Sequence, residues 1–276
     1  MNTSIQDLET KGFVTLSYPL ELRVHVVEAV ESWKQFCSLP TDTKRNLPYS
    51  NNADGVGYEM KEGIGNSADR KENFDVTVAG KQWLETHSLR IGNSSALRFI
   101  QDATSLVGVM KPIVVDFAKQ CEAEFGIPGF ANEVQNGEDA FFVRFIHYFG
   151  DRTLGEETAT AHTDQSGFTL HLFESSPGLQ CLNYDRKWIN MPVSNGETVI
   201  IPSMQMQLRS NGKLKALCHR VIATPETMKA GRYSAVCFVQ LRNTPKYDKE
   251  KNGRLQEKKP GFNYDLTQEE FVKMFK

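Results

Sequence analysis

Short β-type segments in the second half of the chain constrain its fold more than any other feature. After the turn Gly126-Ile127-Pro128-Gly129, runs rich in β-branched and aromatic residues are separated by turn residues. Short strands joined by turns predict a sandwich or barrel, because each sheet must bury one face against another layer. The predicted strands are Phe141–Phe149, Gly167–Phe173, Leu179–Leu182, Glu197–Ile201, Leu214–Ala223 and Arg232–Leu241.

The first half of the chain has mainly helical patterns. Apolar residues recur at helical spacing between Pro19 and Cys37, which predicts an amphipathic helix. A second helical region runs from about Ser95 to Phe125. We expect Pro112 to kink or divide this region, because proline lacks a backbone donor and its ring crowds the preceding turn.

Two further parts of the chain complete the predicted organisation: the segment between the two helical regions, and the C-terminal end. Residues 41–65 are rich in Asn, Asp and Gly, which predicts a long loop, and its part around 51–66 is a candidate lid over an active site. We predict a single domain over residues 1–276. It has a helical N-terminal region of about 1–135, a β core of about 136–245, and a C-terminal extension, 246–276, with a short helix from Thr267 to Phe275.

Composition limits the classes of function. The chain has 276 residues, 39% of them hydrophobic and 24% charged, and its net charge is −2, without the basic excess of a nucleic-acid-binding protein. Near the N-terminus, the charged residues Asp7, Glu9 and Lys11 interrupt the apolar residues, so this segment lacks the continuous apolar core of a signal peptide. No other segment approaches the roughly 20 apolar residues that are needed to cross a bilayer. We therefore expect a cytoplasmic protein, a monomer or weak homo-oligomer, that binds a small molecule rather than nucleic acid or a membrane.

The five cysteines carry no metal or disulfide pattern. Their number is odd, they are widely spaced, and none forms a C-x-x-C pair. We expect them to be buried as small apolar side chains. Cys218 precedes a histidine, but neighbouring residues on a strand face opposite ways, so it is not expected to be a ligand beside His219.

A candidate metal site begins with His162 and Asp164, which lie two residues apart. In an extended chain this spacing places both side chains on one face, so one cation can bind both. His219, in a later strand-like run, is the candidate third ligand, whereas His171 is expected to fill a β-core position. Two histidines and one carboxylate leave coordination positions open, which suits iron(II) binding a co-substrate and dioxygen together. The H-x-D triplet alone is weak evidence, because a buried His–Asp pair is also a common structural arrangement.

A candidate carboxylate anchor follows the third ligand. Arg232 and Ser234 are two residues apart, so on a strand they share a face, with Tyr233 turned away. A guanidinium binds a carboxylate through two parallel hydrogen bonds, and a neighbouring hydroxyl adds a third. Alone, Arg232 would be interpreted as one partner of a surface salt bridge. Its position after the H-x-D triplet and His219 favours a site for one end of a dicarboxylic acid.

These residues are part of a longer series of motifs. The catalytic half contains His162-Thr163-Asp164, Gly167-Phe168-Thr169-Leu170, Pro177-Gly178-Leu179-Gln180, Lys187-Trp188-Ile189 and Cys218-His219-Arg220-Val221. The N-terminal half contains Gly12-Phe13-Val14, Gly57-Tyr58 and Lys71-Glu72-Asn73-Phe74. In order and spacing, nearly the whole chain resembles the 2-oxoglutarate/iron(II) dioxygenase superfamily. Within it, the chain resembles the branch of isopenicillin N synthase and the plant flavonoid and gibberellin oxygenases.

The resemblance implies a fold and a set of ligands. The fold would be mainly β with flanking helices, and its core a double-stranded β-helix, or jelly roll. Fe(II) would be bound at its mouth by the triad His162, Asp164 and His219. Arg232 and Ser234 would bind the distal carboxylate of 2-oxoglutarate, and the resemblance also assigns Tyr148 to this co-substrate.

The resemblance also implies an activity. The chain would use O2 to oxidise a C–H bond of a small molecule, by hydroxylation, desaturation or ring closure, with release of succinate and CO2, as in specialised metabolism. The sequence does not identify the substrate. His147 stands where plant members often have tyrosine, and Pro202-Ser203-Met204 where many relatives have Gly-Asp. Candidate substrate contacts are Tyr58, Lys61, Phe142, Met204 and Met206.

Three other functions remain open at the level of sequence. An oxidase of the isopenicillin N synthase type has the same triad and the same Arg-x-Ser element but uses no 2-oxoglutarate. A zinc hydrolase also needs three protein ligands and an open position, although no glutamate is marked out as its general base. A catalytically silent binding module is the third, and the intact triad and anchor argue against it.

Overall fold

The computed structural model describes residues 4–50, 55–62, 70–137, 140–192, 196–242, 244–245 and 248–252. The helices in this part of the chain are α1 Asp7–Thr10, α2 Leu20–Cys37, α3 Thr41–Arg45, α4 Lys81–Ile91, α5 Ser94–Phe125, α6 Phe130–Asn136, α7 Met204–Arg209, α8 Thr227–Ala230 and α9 Lys249–Asn252. The strands are β1 Val14–Ser17, β2 Gly57–Glu62, β3 Arg70–Thr77, β4 Phe141–Tyr148, β5 Glu157–His162, β6 Phe168–Glu174, β7 Leu179–Leu182, β8 Trp188–Asn190, β9 Glu197–Pro202, β10 His219–Ile222 and β11 Arg232–Val239.

The strands form two antiparallel sheets. The large sheet has seven strands in the order β1-β9-β6-β11-β4-β3-β2, and the small sheet has four in the order β5-β10-β7-β8. Side chains from both sheets meet in one apolar cluster, which includes Ile146 and Val236 from the large sheet and Leu179 and Val221 from the small one. The two sheets therefore pack face to face, and the prediction of a mainly β fold with flanking helices is confirmed.

The opposite face of the large sheet packs on helices. Alternate residues of a strand point to opposite faces, so β3 directs Phe74 and Val76 towards α2 and α5, where they join a second apolar cluster. Trp33, Phe36 and Phe99 lie at its centre, with the ring centroids of Trp33 and Phe99 5.1 Å apart. We call this the outer face, and the face that packs on the small sheet the inner face.

The N-terminal region contains more β structure than its pattern indicates. β2 and β3 pair with each other, and β3 pairs with β4, so residues before position 135 extend the large sheet. The predicted loop at 41–65 is wrong where α3 and β2 occupy it, while the lid prediction at 51–66 falls partly outside the described residues. Pairing with a distant strand supplies hydrogen bonds that local propensity does not anticipate.

The long helix α5 is not divided at Pro112. The proline removes one helical hydrogen bond, yet the apolar face of α5 is buried from Ala96 to Phe125, and this burial stabilises the helix on both sides. Division of the helical region at Pro112 is therefore wrong, whereas the alternative that Pro112 kinks it stays a prediction. Gly126, in the left-handed conformation, ends the helix as predicted.

Four further expectations concern smaller features of the chain. Within the predicted strand Leu214–Ala223, only His219–Ile222 is β structure. All five cysteines are free, with Cys37 partly exposed and the others buried. Among the described residues, no helix has both the length and the apolar character needed to cross a bilayer. The predicted C-terminal helix from Thr267 to Phe275 lies outside the described residues.

Candidate active site

Antiparallel pairing of β5 and β10 brings the two histidines of the predicted triad together. His162 is the last residue of β5, His219 is the first of β10, and the two are directly opposite each other in the register. Asp164 follows two residues after the end of β5, and its carbonyl accepts a hydrogen bond from the backbone N–H of Met204 at 3.0 Å. The start of α7 thus holds the loop that carries the carboxylate.

The three side chains offer ligand atoms to one point. His162 Nε2 lies 3.4 Å from Asp164 Oδ1, and His219 Nε2 lies 3.7 Å from Asp164 Oδ2. Single ligand atoms of the three residues all lie within 4.8 Å of one another. Such a set of imidazole nitrogens and a carboxylate oxygen fits a divalent transition metal. The side chain of His162 is 46% exposed, so this point is accessible from solvent.

Neighbouring groups orient each ligand. His162 Nδ1 lies 2.6 Å from the Thr160 carbonyl, and His219 Nδ1 lies 3.3 Å from the Leu217 carbonyl. An Nδ1–H that donates to a carbonyl leaves Nε2 with its lone pair, which is the form that binds a metal. Thr169 donates its hydroxyl to Asp164 Oδ2 at 2.5 Å, which fixes the carboxylate.

The charges of the triad also suit metal binding. Burial lowers the pKa of His219 to about 4, despite the opposing effect of Asp164, so this imidazole is neutral at neutral pH. Burial alone would raise the pKa of Asp164, but the neighbouring histidines and Thr169 outweigh it and hold the pKa well below its usual value. A neutral imidazole and an ionised carboxylate are the states that coordinate a cation.

The predicted anchor residues lie on the inner face of the large sheet. Arg232 pairs with Tyr148 across β11 and β4, and Ser234 pairs with Ile146 two positions along. Arg232 and Ser234 are both 2% exposed, and the Arg232 guanidinium lies 6.0 Å from the centroid of the Tyr148 ring. The three residues predicted to bind the co-substrate therefore adjoin one another.

Two residues that the sequence did not assign to the site contact this anchor. Glu174, the last residue of β6, forms a close ion pair with Arg232. The other oxygen of Glu174 lies 3.0 Å from His171 Nδ1, and the His171 ring centroid is 5.7 Å from that of His219. His171 is buried, as its expected core position requires, but it also links the arginine to the metal triad through Glu174.

The candidate substrate contacts divide between the two faces. Tyr58 and Met206 pack in the apolar cluster on the outer face, so the structure does not bring them to the inner face with Arg232. Lys61 lies opposite Lys71 in the register, on the inner face, and pairs with Glu59 at 3.6 Å. Phe142 stacks on Phe238, with ring centroids 5.0 Å apart. Met204 is buried beside the Asp164 loop, where its backbone N–H supports that loop.

A second cluster on the outer face also combines side chains of the kinds that bind metals. Ligand atoms of Cys37, Glu72 and His147 lie within 4.8 Å of one another. Glu72 Oε2, however, already lies 2.5 Å from Lys44 Nζ and accepts a hydrogen bond from the Tyr58 hydroxyl at 2.7 Å. We call these five residues the Glu72 cluster.

Comparisons with known proteins find similarity to 2-oxoglutarate-dependent oxygenases. A sequence model of the 2OG-Fe(II) oxygenase superfamily matches residues 138–241, which include the whole triad and the anchor. A 2-oxoglutarate-dependent dioxygenase of Didymella fabae is 28% identical over 240 residues, which are 74% of this chain and 68% of that protein. The 1-aminocyclopropane-1-carboxylate oxidase of Persea americana is 42% identical over 65 residues, which are 23% of this chain but only 20% of that protein.

The fold has a close counterpart among solved structures. The dioxygenase for auxin oxidation of rice superposes with a TM-score of 0.69 at 20% identity, over 95% of this chain and 84% of that one. The jelly-roll prediction is thereby confirmed. The superfamily model thus matches the part of the chain in which the triad is assembled at one point, and the predicted resemblance to the 2-oxoglutarate/iron(II) dioxygenase superfamily is confirmed.

Proposed function

We propose that this chain is an iron(II) and 2-oxoglutarate-dependent oxygenase that oxidises a C–H bond of a small molecule. The observation that carries the proposal is the convergence of His162, Asp164 and His219 at one solvent-accessible point. Asp164 and His219 are in the charge states that bind a metal, and hydrogen bonds with the Thr160 and Leu217 carbonyls and the Thr169 hydroxyl orient all three ligands. The anchor residues on the adjoining sheet support 2-oxoglutarate as co-substrate.

Each part of the site has a separate task. The triad holds the iron, and Thr169 keeps the Asp164 carboxylate in its binding orientation. Arg232 and Ser234 bind the distal carboxylate of the co-substrate, against the ring of Tyr148. When bound, iron and 2-oxoglutarate supply the oxidative chemistry, by which a substrate C–H bond is attacked and succinate and CO2 are released. The protein contributes binding and orientation, with anchor side chains that are almost fully buried.

The test is a coupled measurement of oxygen uptake and succinate. The purified protein, with Fe(II), 2-oxoglutarate and a panel of metabolites, is expected to consume O2 and form succinate in equal amounts. Asp164→Ala, which removes a metal ligand, is the matched inactive control. Formation of succinate by Asp164→Ala at the rate of the unaltered protein would contradict the proposal.

The anchor has its own test. We expect Arg232→Ala to raise the concentration of 2-oxoglutarate needed for half-maximal rate by about 10- to 100-fold, because charge-assisted hydrogen bonds contribute roughly 1.5–3 kcal/mol. The maximal rate is expected to change less. An unchanged 2-oxoglutarate requirement would remove Arg232 from the site.

A second candidate is an iron(II) oxidase that uses no 2-oxoglutarate. The observation that favours it is the ion pair of Arg232 with Glu174, which places a protein carboxylate on the predicted anchor. Oxygen uptake without succinate would select this oxidase. The hydroxylation, desaturation or ring-closure outcome, the role in specialised metabolism, the cytoplasmic location and the weakly associated or monomeric state stay predictions.

A further inference from the structure

We propose that Glu174 sets the affinity and selectivity of this site for dicarboxylic co-substrates, by competing with their distal carboxylate for Arg232. This inference rests on the proposed function, because it assigns a role at the same anchor. It starts from the fact that the arginine expected to bind a ligand carboxylate already faces a carboxylate of the protein.

The position of Glu174 follows from strand pairing. Glu174 lies directly opposite Ser234 in the register of β6 and β11, so its backbone is one strand spacing from the anchor strand. The backbone N–H of Ser175 donates to the Tyr233 carbonyl at 2.9 Å, which fixes the end of β6 beside Arg232. The carboxylate is therefore held at the anchor by the sheet itself.

The ion pair between Glu174 and Arg232 is close but poorly directed. Arg232 Nε donates to the Ser176 carbonyl at 3.1 Å. Nη1 and Nη2 of Arg232, and Oε2 of Glu174, are buried and make no well-directed hydrogen bond to any described residue. A buried guanidinium with two unsatisfied nitrogens can still gain from a ligand that presents a planar carboxylate.

A second arginine on the inner face provides an internal comparison. Arg144 donates from Nε and Nη2 to the two oxygens of Asp75 at 2.7 and 2.6 Å, which is a complete bidentate pair. Arg232 has no such pair with Glu174, whose other oxygen lies by His171. A ligand that displaces Glu174 from Arg232 therefore breaks fewer well-directed hydrogen bonds than one that displaces Asp75 from Arg144.

The competition predicts a dependence on the distal carboxylate of the ligand. When Glu174 is present, part of the binding free energy of the ligand's distal carboxylate is used to displace the Glu174 carboxylate from Arg232. Glu174→Gln keeps the shape of the side chain and removes its charge. We expect this change to tighten binding of 2-oxoglutarate by about tenfold, the order that one charge-assisted hydrogen bond supplies. Binding of pyruvate, which has no distal carboxylate, should stay unchanged.

The experiment is an anaerobic calorimetric titration of the Fe(II)-loaded protein with 2-oxoglutarate and, separately, with pyruvate. The matched control is Glu133→Gln, which removes a carboxylate that pairs with Arg209 at 2.7 Å elsewhere in the fold. We expect tighter 2-oxoglutarate binding in Glu174→Gln alone. Equal or weaker binding of 2-oxoglutarate by Glu174→Gln would overturn the inference, because Glu174 would then support Arg232 rather than compete for it. An equal gain in the binding of pyruvate would overturn it as well.

Two further measurements cover the other cases. If Glu174→Gln does not fold, Glu174→Asp retracts the charge by one methylene and is expected to show a smaller gain, while no gain counts against the inference. In the unaltered protein, 2-oxoglutarate should bind less than about a hundredfold more tightly than pyruvate, and a larger ratio would overturn the competition. Binding of neither ligand to any of these proteins would instead refute the proposed function, and the inference with it.

Discussion

Two clusters of metal-ligand side chains in this molecule have similar geometry and different chemistry. In the triad, Asp164 is surrounded by two imidazoles and a hydroxyl. In the Glu72 cluster, the carboxylate lies beside the ammonium of Lys44, and both side chains are almost fully buried, at 2% and 5% exposure. In each cluster, one ligand atom from each of three residues lies within 4.8 Å of the other two.

The difference between the clusters is which cation neutralises the carboxylate. In the Glu72 cluster, Lys44 is that cation, and Tyr58 and His147 satisfy the remaining lone pairs. A metal would have to displace a buried ammonium and leave it unpaired, which costs several kcal/mol. In the triad, no lysine or arginine among the described residues is paired with Asp164. Proximity of ligand atoms is therefore insufficient, and the neighbouring charges decide between a metal site and a structural ion pair.

The strongest test of this contrast is removal of each carboxylate. We expect Asp164→Ala to lose bound iron and all measurable turnover, because His162 and His219 alone do not retain the metal at ordinary concentrations. Its circular dichroism should match that of the unaltered protein. Metal analysis after gel filtration is the measurement, and iron at full stoichiometry in Asp164→Ala would show that the triad is not the site.

The reverse pattern is expected at the other cluster. Glu72→Gln leaves the Lys44 ammonium buried without a counter-charge, so the free energy of unfolding should fall by about 3–5 kcal/mol. Iron content should stay unchanged below the unfolding transition. Urea denaturation gives the stability, and the double variant Lys44→Met/Glu72→Gln, in which no charge is left unpaired, should recover part of it. Loss of iron in folded Glu72→Gln would contradict the assignment of this cluster to structure.

A smaller effect is expected from the hydroxyl that orients Asp164. Thr169→Val removes this hydrogen bond at nearly constant volume, and the loss of such a supporting contact typically lowers metal affinity by about 10- to 100-fold. Competition with a chelator measures the affinity. Thr104→Val, which removes a buried hydroxyl in α5, is the matched control and should leave the affinity unchanged. Equal affinities in both variants would show that Asp164 is oriented without Thr169.

The last prediction concerns acid stability. Burial alone would raise the pKa of Glu72, but hydrogen bonds from His147, Lys44 and Tyr58 outweigh it and lower the pKa to about 2. A depressed folded-state pKa contributes stability above the unfolded-state value near 4.5, and this contribution is lost as pH falls from about 4.5 to 2. Denaturation at a series of pH values should show this loss in the unaltered protein. The difference in the free energy of unfolding between the unaltered protein and Glu72→Gln should shrink as the pH falls through the same range. A constant difference would show that the lowered pKa of Glu72 is not the cause of the loss.

Local sequence patterns predicted the parts of this molecule that depend on neighbouring residues. The helix Leu20–Cys37 was predicted to within one residue, because apolar spacing and the flanking prolines set it locally. The strand that carries Arg232 and Ser234 was predicted from its own run of β-branched and aromatic residues, which is also a local pattern. The three candidate metal ligands were predicted from their residue types, their order and a family resemblance. The structure brings their ligand atoms to one point.

Tertiary structure alone decided the features that depend on distant partners. Strand Gly57–Glu62 exists because β3 supplies its hydrogen bonds, although it lies within a stretch, residues 41–65, that is rich in Asn, Asp and Gly. The pairings of Lys44 with Glu72 and of Glu174 with Arg232 join residues 28 and 58 positions apart. No local pattern marks such pairs, because the free energy of a buried charge is set by whichever groups the folded chain places around it. The sequence by itself thus determined which residues are the candidates to bind iron and a carboxylate. The packing of the sheets decided which charges those residues meet.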